Sequence, residues 1–262
     1  MENINNLNTY CSEMSKAIDD KLWFVQFLKT LNNFDKRITV YDWGCANGEL
    51  LQHVAPMFPN INFIGVDINE DMLLEAYKNN IYDNVSFMSP KVIWCDNNAT
   101  NIVIMSSLFH ELISYDTFKE FYETMMLSIK PDYIFFRDMM VNESTKRIAD
   151  KNIISIKGFN GRYSNQIYDF IESEEYFDEN HITQQQLIHF LLKYRYTENW
   201  NREVLENYLP VYLEDLHKYF PDFNITYFKH YTLPFIKEQV KKDFDIDLMD
   251  KTHVNIIFKC KN

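Results

Sequence analysis

Glycine is scarce in this chain. Five glycines in 262 residues leave no room for flexible glycine-rich linkers, so a place where two of them cluster carries information. Cysteine is scarcer: Cys11, Cys45, Cys95 and Cys260 are scattered, with no C-x-x-C and no histidine pair at ligand spacing. Neither a disulfide framework nor a zinc site is indicated, no metal is implied, and four reduced thiols suit a cytoplasmic compartment. No stretch approaches the roughly 18 consecutive apolar residues of a membrane span, and the opening MENINNLNTYCSEMSK lacks the basic patch and apolar run of a secretory signal. These absences predict a soluble intracellular protein with no membrane partner. Cations are also in deficit: 26 Lys+Arg face 38 Asp+Glu, a formal charge of -12, which opposes broad binding to phosphate backbones or anionic lipid.

Core-forming material is abundant. The chain is 46% hydrophobic and 16% aromatic, which excludes wholesale disorder and suits one large domain or two small ones. Residues 9–31 set Met14, Ile18, Leu22, Val25 and Leu28 at helical spacing, an amphipathic cover. The period then changes. ITVYDW (38–43), INFIGVD (61–67), NVSFM (84–88), NIVIMSS (101–107) and DYIFFRD (132–138) read as strands. Helical patterns lie between them, one from Glu49 to the prolines at 56 and 59, one after the capping residue Asn69, and one over Asp116–Lys130. Strands alternating with helices predict a parallel α/β sheet with helices on both faces.

After Asp138 the rhythm is lost. Gly158 and Gly161 mark turns, the acidic run 165–180 reads as a solvated face, and helices are predicted over 182–196 and from about Asn201 to Tyr219, the latter kinked or split at Pro210. Strand signal returns at 223–233 and 253–261, with a helix between. The predicted organisation is a cover (1–35), a core (36–140), a helical insertion (141–222) and closing strands of the core sheet (223–262).

The informative stretch is VYDWGCANGEL (40–50). A strand ending in closely spaced glycines and feeding a helix lets the backbone approach a ligand and aims free N–H groups at it, as nucleotide sites do. The dinucleotide fingerprint G-x-G-x-x-G fits badly, because Ala46 and Glu49 stand at its second and third glycine positions. Asp42, Gly44 and Gly48 instead fit acid-x-Gly-x-Gly-x-Gly with Ala46 in the middle. A second acid, Asp67, ends the next strand 23 residues after Gly44, where a nucleoside ribose is read.

On these residues the chain resembles the class I S-adenosylmethionine-dependent methyltransferases over 38–140. The resemblance implies a Rossmann-like seven-stranded methyltransferase sheet and S-adenosylmethionine as cofactor. It places Asp42 near the cofactor's ammonium, wraps the turn Gly44, Cys45, Ala46 and Gly48 around its methionine and ribose portions, and gives the ribose hydroxyls to Asp67. Ile68 would wall the adenine, and Met88 with Ser89 stands where an adenine contact is expected, Asp96 being the other choice. The segment SSLFHEL (106–112) is similar to the Ser-x-x-x-His segment of enzymes like those of ubiquinone and menaquinone biosynthesis, which puts Ser106, Ser107 and His110 at the transfer site.

Methyl transfer from a sulfonium is an in-line displacement that asks the protein mainly for alignment and, for some acceptors, a base. His110 is the candidate base and Asp138 the reserve. Arg137 and Asp138 share the rim, either paired with each other or orienting substrate, and Glu111 is a surface or a catalytic acid. Acceptor choice falls to the cover and the insertion, whose aromatic and basic set includes Phe159, Arg162, Tyr163, Tyr194, Arg195, Tyr196 and Trp200. Their stacking role and a plain core role both stand. The expected acceptor is a small molecule. The alternatives are a nucleic acid or protein docked on a patch around Lys193, Arg195 and Arg202, and a regulator that binds the cofactor without catalysis.

Overall fold

The computed structural model describes residues 17–32, 37–156, 161–174 and 182–261. Cys11, Met14, Gly158, Phe159 and the end of the acidic run lie outside them. Seven strands form one sheet: β1 (Arg37–Trp43), β2 (Asn62–Val66), β3 (Val85–Met88), β4 (Ala99–Ser106), β5 (Tyr133–Met139), β6 (Phe223–Tyr231) and β7 (His253–Cys260). Their order is β3-β2-β1-β4-β5-β7-β6, and the ladders from β3 through β5 are parallel. The chain winds outward from β1 through β2 to β3, then returns to β4 on the other side of β1. That reversal opens a crevice at the carboxyl ends of β1 and β4, where open α/β sheets bind ligands.

Two compact units divide the described chain. One runs to Asp138 and includes Asp222–Lys229 and the residues from Asn255; the other holds Met139–Pro221 and His230–Val254. In the first, α1 (Val25–Asn32), α2 (Glu49–Val54), α3 (Glu70–Asn79), α4 (Phe109–Ser114) and α5 (Phe118–Ser128) flank the strands. Leu28, Leu51, Val54, Ile102, Ile104 and Phe135 lie in its core. Ile18, Leu22 and Val25 of the predicted cover pack against this core, and Trp23 stacks on Tyr227 with ring centroids 5.6 Å apart. Asn69 caps α3 as expected, accepting the N–H groups of Asp71 and Met72 at 3.0 and 3.2 Å.

The helix expected over 116–130 begins only at Phe118, because Asp116 and Lys130 adopt left-handed backbone (φ 54 and 52) and bracket it. In front of it, α4 was not anticipated: its one turn and a half is too short for a periodicity signal.

The second unit is built on α6 (Ser164–Ser173), α7 (Gln184–Lys193) and α8 (Pro234–Phe244). Part of the acidic run is therefore a helix with Ile167 and Phe170 buried, not simply a solvated face. The helix expected from 201 to 219 is in pieces, a single turn at Trp200–Glu203 and a 3-10 segment at Leu213–Lys218, with Pro210 in the break. Tyr163, Tyr194 and Trp200 are core residues of this unit.

The basic docking patch is not formed. Lys193 is fully buried and donates to the Glu206 carbonyl. Arg202 pairs with Glu203 and Glu206 at 3.5 and 3.3 Å, and Arg195 lies over the Tyr196 and Phe235 rings. A buried cation must be matched by an anion or a carbonyl: Arg202 finds its carboxylates one and four residues on, whereas Lys193 reaches a carbonyl 13 residues away.

Candidate cofactor site

The loop between β1 and α2 is wound by three left-handed residues, Gly44 (φ 78), Ala46 (φ 47) and Gly48 (φ 76). A Cβ on Gly48 would stand 2.6 Å from the Phe87 ring, so glycine is required there by space as well as by φ. The loop's N–H groups turn inward, contrary to the expectation that they face a ligand. Gly44 and Cys45 both donate to the Val66 carbonyl at 2.8 and 3.1 Å, and Gly48 donates to Cys45 at 2.9 Å. Ala46 donates to Asp67 Oδ2 at 2.9 Å. Such a loop offers a shaped surface and not a phosphate nest.

Ala46 holds a conformation that costs a non-glycine residue about 1–2 kcal/mol. Ala46→Gly is expected to stabilise the protein by about 0.5–1 kcal/mol once the greater freedom of unfolded glycine is subtracted. It should also tighten cofactor binding severalfold, read by thermal melting and calorimetric titration.

Cys45 contributes only backbone to the loop surface. Its side chain is buried, and burial together with the charges of Asp42 and Asp67 pushes its thiol well above the usual range. Gly65 was missed in the sequence: a Cβ there would sit 2.4 Å from Phe87 and 2.9 Å from the Cys45 sulfur, so its absence lets β2, β3 and the loop close together.

Asp67 is half-buried and faces the loop. Oδ2 accepts Ala46 N–H at 2.9 Å, and Oδ1 accepts Asn69 N–H at 2.8 Å. Burial raises its carboxyl above the ordinary value, partly opposed by these N–H bonds. Ile68 beside it is 62% exposed. Asp67 N–H reaches the Met88 carbonyl at 3.4 Å, which brings the end of β3 alongside, and Ser89 follows as the cap of a 3-10 turn, accepting Lys91 N–H at 3.4 Å. Asp96 is elsewhere: it accepts Asn98 N–H and pairs with Arg37 at the amino end of β1, the far end of that strand from the loop.

Asp42 is buried near the end of β1. Burial pushes its carboxyl up to about 7, the Lys21 ammonium draws it down and Asp67 adds to the rise. Lys21 and its neighbour Asp20 were read only as part of a cover. The signal available was the pair of charges beside the apolar stripe, which periodicity alone does not interpret.

On the other side of the crevice, the buried Oγ of Ser106 at the end of β4 has no hydrogen-bond partner among the described residues. Ser107 is left-handed (φ 57) and donates its N–H to the Arg137 carbonyl at 2.8 Å. Arg137 and Asp138, consecutive in β5, point to opposite faces of the strand and serve different partners. Arg137 Nε donates to Asp20 Oδ2 at 2.6 Å and Nη1 to Ser107 Oγ at 2.8 Å. Asp138 is fully buried; Oδ1 lies 2.7 Å from His110 Nδ1, and Oδ2 accepts Phe109 and His110 N–H at 2.7 and 3.3 Å, closing the start of α4. His110 is itself buried, while Glu111 is half-buried.

Residues 41–133 match the family model described as a methyltransferase domain. A tRNA (guanine-N(7)-)-methyltransferase of Prochlorococcus marinus is 34% identical over 70 residues, 26% of this chain and 34% of that protein, so the aligned part spans about a third of the curated relative. Among solved structures, a SAM-dependent methyltransferase from Anabaena variabilis aligns at TM-score 0.51 and 14% identity, over 99% of this chain and 96% of that one. A putative sarcosine dimethylglycine methyltransferase from Galdieria sulphuraria aligns at 0.51 and 10%, over 93% and 86%. These structural likenesses concern the fold. The family match, with the sheet order and the glycine loop, marks residues 41–133, about a third of the chain, as a methyltransferase domain. Among the described residues, no helix is long and apolar enough to cross a membrane.

Proposed function

We propose that the protein transfers a methyl group from S-adenosylmethionine to a small-molecule acceptor. The observation that carries this reading is the Asp67 carboxylate held against the glycine loop by the N–H groups of Ala46 and Asn69, which makes loop and ribose acid one rigid piece. The residues fit the cofactor in three further ways. Loop N–H groups engaged by Val66, Asp67 and Cys45 suit a nucleoside without phosphates, buried Asp42 suits an ammonium, and the buried Ser106 hydroxyl at the end of β4 has no partner among the described residues.

Asp67 would hold the ribose hydroxyls and Asp42 the ammonium. Gly44 to Gly48 would follow the methionine and ribose portions, with Ile68, Met88 and Ser89 around the adenine. The bound cofactor supplies an activated methyl group on sulfur. His110 serves as base: Asp138 accepts from Nδ1, so a proton leaving the acceptor goes to Nε2. Asp138, with both oxygens engaged, is a positioning residue. Arg137, tied to Asp20 and Ser107, braces the rim. Acceptor choice is assigned to the amino-terminal cover and to segment 141–222. A nucleic-acid acceptor is the second reading, favoured by the tRNA-modifying relative and opposed by the charge of -12 and the inward-turned Lys193 and Arg202.

The test is calorimetric titration with S-adenosylmethionine and S-adenosylhomocysteine, then incubation of methyl-labelled cofactor with fractionated cell extract. Both cofactor forms are expected to bind and label to enter the small-molecule fraction. His110→Asn is expected to lower turnover about 100-fold with cofactor affinity unchanged. Label confined to RNA or protein refutes the acceptor class, binding with no transfer in any fraction leaves a regulator, and failure of the intact protein to bind overturns the assignment.

A further inference from the structure

The second compact unit contains a cavity of about 520 Å³, within the range of small-molecule sites, that the cofactor reading does not use. Glu174 follows the end of α6, Gln185, Gln186 and His189 come from α7, and Val204, Leu205 and Leu209 form an apolar wall.

Its polar side chains are locked in place. His189 Nδ1 lies 3.2 Å from Glu174 Oε1, and Nε2 lies 3.2 Å from both the Tyr208 N–H nitrogen and the Glu206 carbonyl oxygen, so the ring is held at both nitrogens. Gln186 donates to Glu174 Oε2 at 3.2 Å while its own oxygen accepts Thr183 N–H at 2.9 Å. Gln185 donates to the Leu209 carbonyl at 2.9 Å and accepts the Tyr212 hydroxyl. A site held this way pays little ordering cost when a ligand enters.

The electrostatics select the ligand. Arg202 is paired with Glu203 and Glu206, and Lys193 bonds the Glu206 carbonyl. Glu174 hydrogen-bonds an imidazole and an amide, with the Lys193 ammonium near enough to draw its carboxyl down but not bonded to it, and each of its oxygens keeps a second lone-pair site. Burial would raise the Glu174 carboxyl, but the His189 hydrogen bond holds it below the usual range, and burial holds the His189 imidazole below its own. At neutral pH the cavity is thus lined by both a carboxylate and aliphatic side chains. We propose that this cavity binds a small organic amine, with its ammonium on Glu174 and its apolar body against Val204, Leu205 and Leu209.

The 262-residue chain, without cofactor, is titrated with tyramine, with 4-ethylphenol as the body lacking the ammonium, and with 4-hydroxyphenylacetate as its anionic counterpart. Tyramine is expected to bind saturably, at least about tenfold tighter than 4-ethylphenol, with no binding of the anion. Glu174→Gln should weaken tyramine about tenfold and leave 4-ethylphenol unchanged. Leu205→Arg changes a residue 69% exposed at the cavity, so folding is retained, and its cation should weaken tyramine by a similar factor even where Glu174→Gln fails to fold. No tyramine binding, equal binding of 4-ethylphenol, or indifference of tyramine to the folded variants overturns the proposal.

Discussion

Affinity for S-adenosylmethionine is expected to rise about tenfold per pH unit from pH 5 and to level off near pH 7, because Asp42 is held at about 7 and only its carboxylate can face an ammonium. An α-amino group loses its proton near 7.7–8.0, so the gain should end there and the profile should crest between roughly 7 and 8. Asp42→Asn should flatten the acid limb and weaken binding about 100-fold near pH 7.5, as for the loss of one member of a buried charge pair. Calorimetry across pH in buffers of different ionisation heat reads affinity and proton release together. A flat profile with unchanged affinity in Asp42→Asn would remove Asp42 from the cofactor site.

The same carboxylate has a second consequence, of opposite sign, for the free protein. An unfolded aspartate titrates near 3.8, so between that pH and about 7 the folded state binds more protons, and unfolding becomes easier as pH rises. Asp42's contribution to stability is fully present below about pH 4 and lost by about pH 7, an effect of about 4 kcal/mol at roughly 1.4 kcal/mol per unit. Asp42→Asn should therefore stabilise the free protein near neutral pH while impairing binding. Denaturant titrations of both proteins at pH 5 and 8 check the sign.

Asp67→Ala is expected to abolish cofactor binding to within measurement, a loss of at least about 100-fold, and to destabilise the protein by about 2–4 kcal/mol. The stability loss arises because the Ala46 and Asn69 N–H groups lose their acceptor at about 1–3 kcal/mol each. Asp67→Asn keeps one acceptor oxygen for these donors and should recover about half of the stability while affinity stays low. Urea denaturation and cofactor titration separate the two roles. Lost stability with retained affinity would make Asp67 a loop tie and nothing more.

Much of the first unit was legible because its signals are local. Strand runs such as ITVYDW ended at a glycine, Asn69 preceded two acids at a helix start, and Asp42, Gly44, Gly48 and Asp67 sat at strand ends whose order the alternation of elements already implied. The inward bonding of the loop was not legible, since the Val66 carbonyl that receives Gly44 and Cys45 lies on a different strand. Nor were the partners of Arg137 and Asp138. Adjacent in sequence, they face opposite ways because a strand alternates, one meeting Asp20 from the amino-terminal turn and the other His110 from α4.

The second unit was harder for the same physical reason carried further. Its helices bury tyrosines, a lysine and glutamates that composition assigns to a surface, and the compensation that makes this possible, such as Lys193 on the Glu206 carbonyl or His189 on Glu174, is made between segments. By itself the sequence determined the alternating α/β core, the glycine turn and the two acids at the ends of the first two strands, because strand and helix periods and the left-handed turn are properties of neighbouring residues. The tertiary structure alone decided which cations are exposed, which carboxylates are shifted and where the cavity of the second unit lies, because burial and charge pairing are set by residues that only the fold brings together.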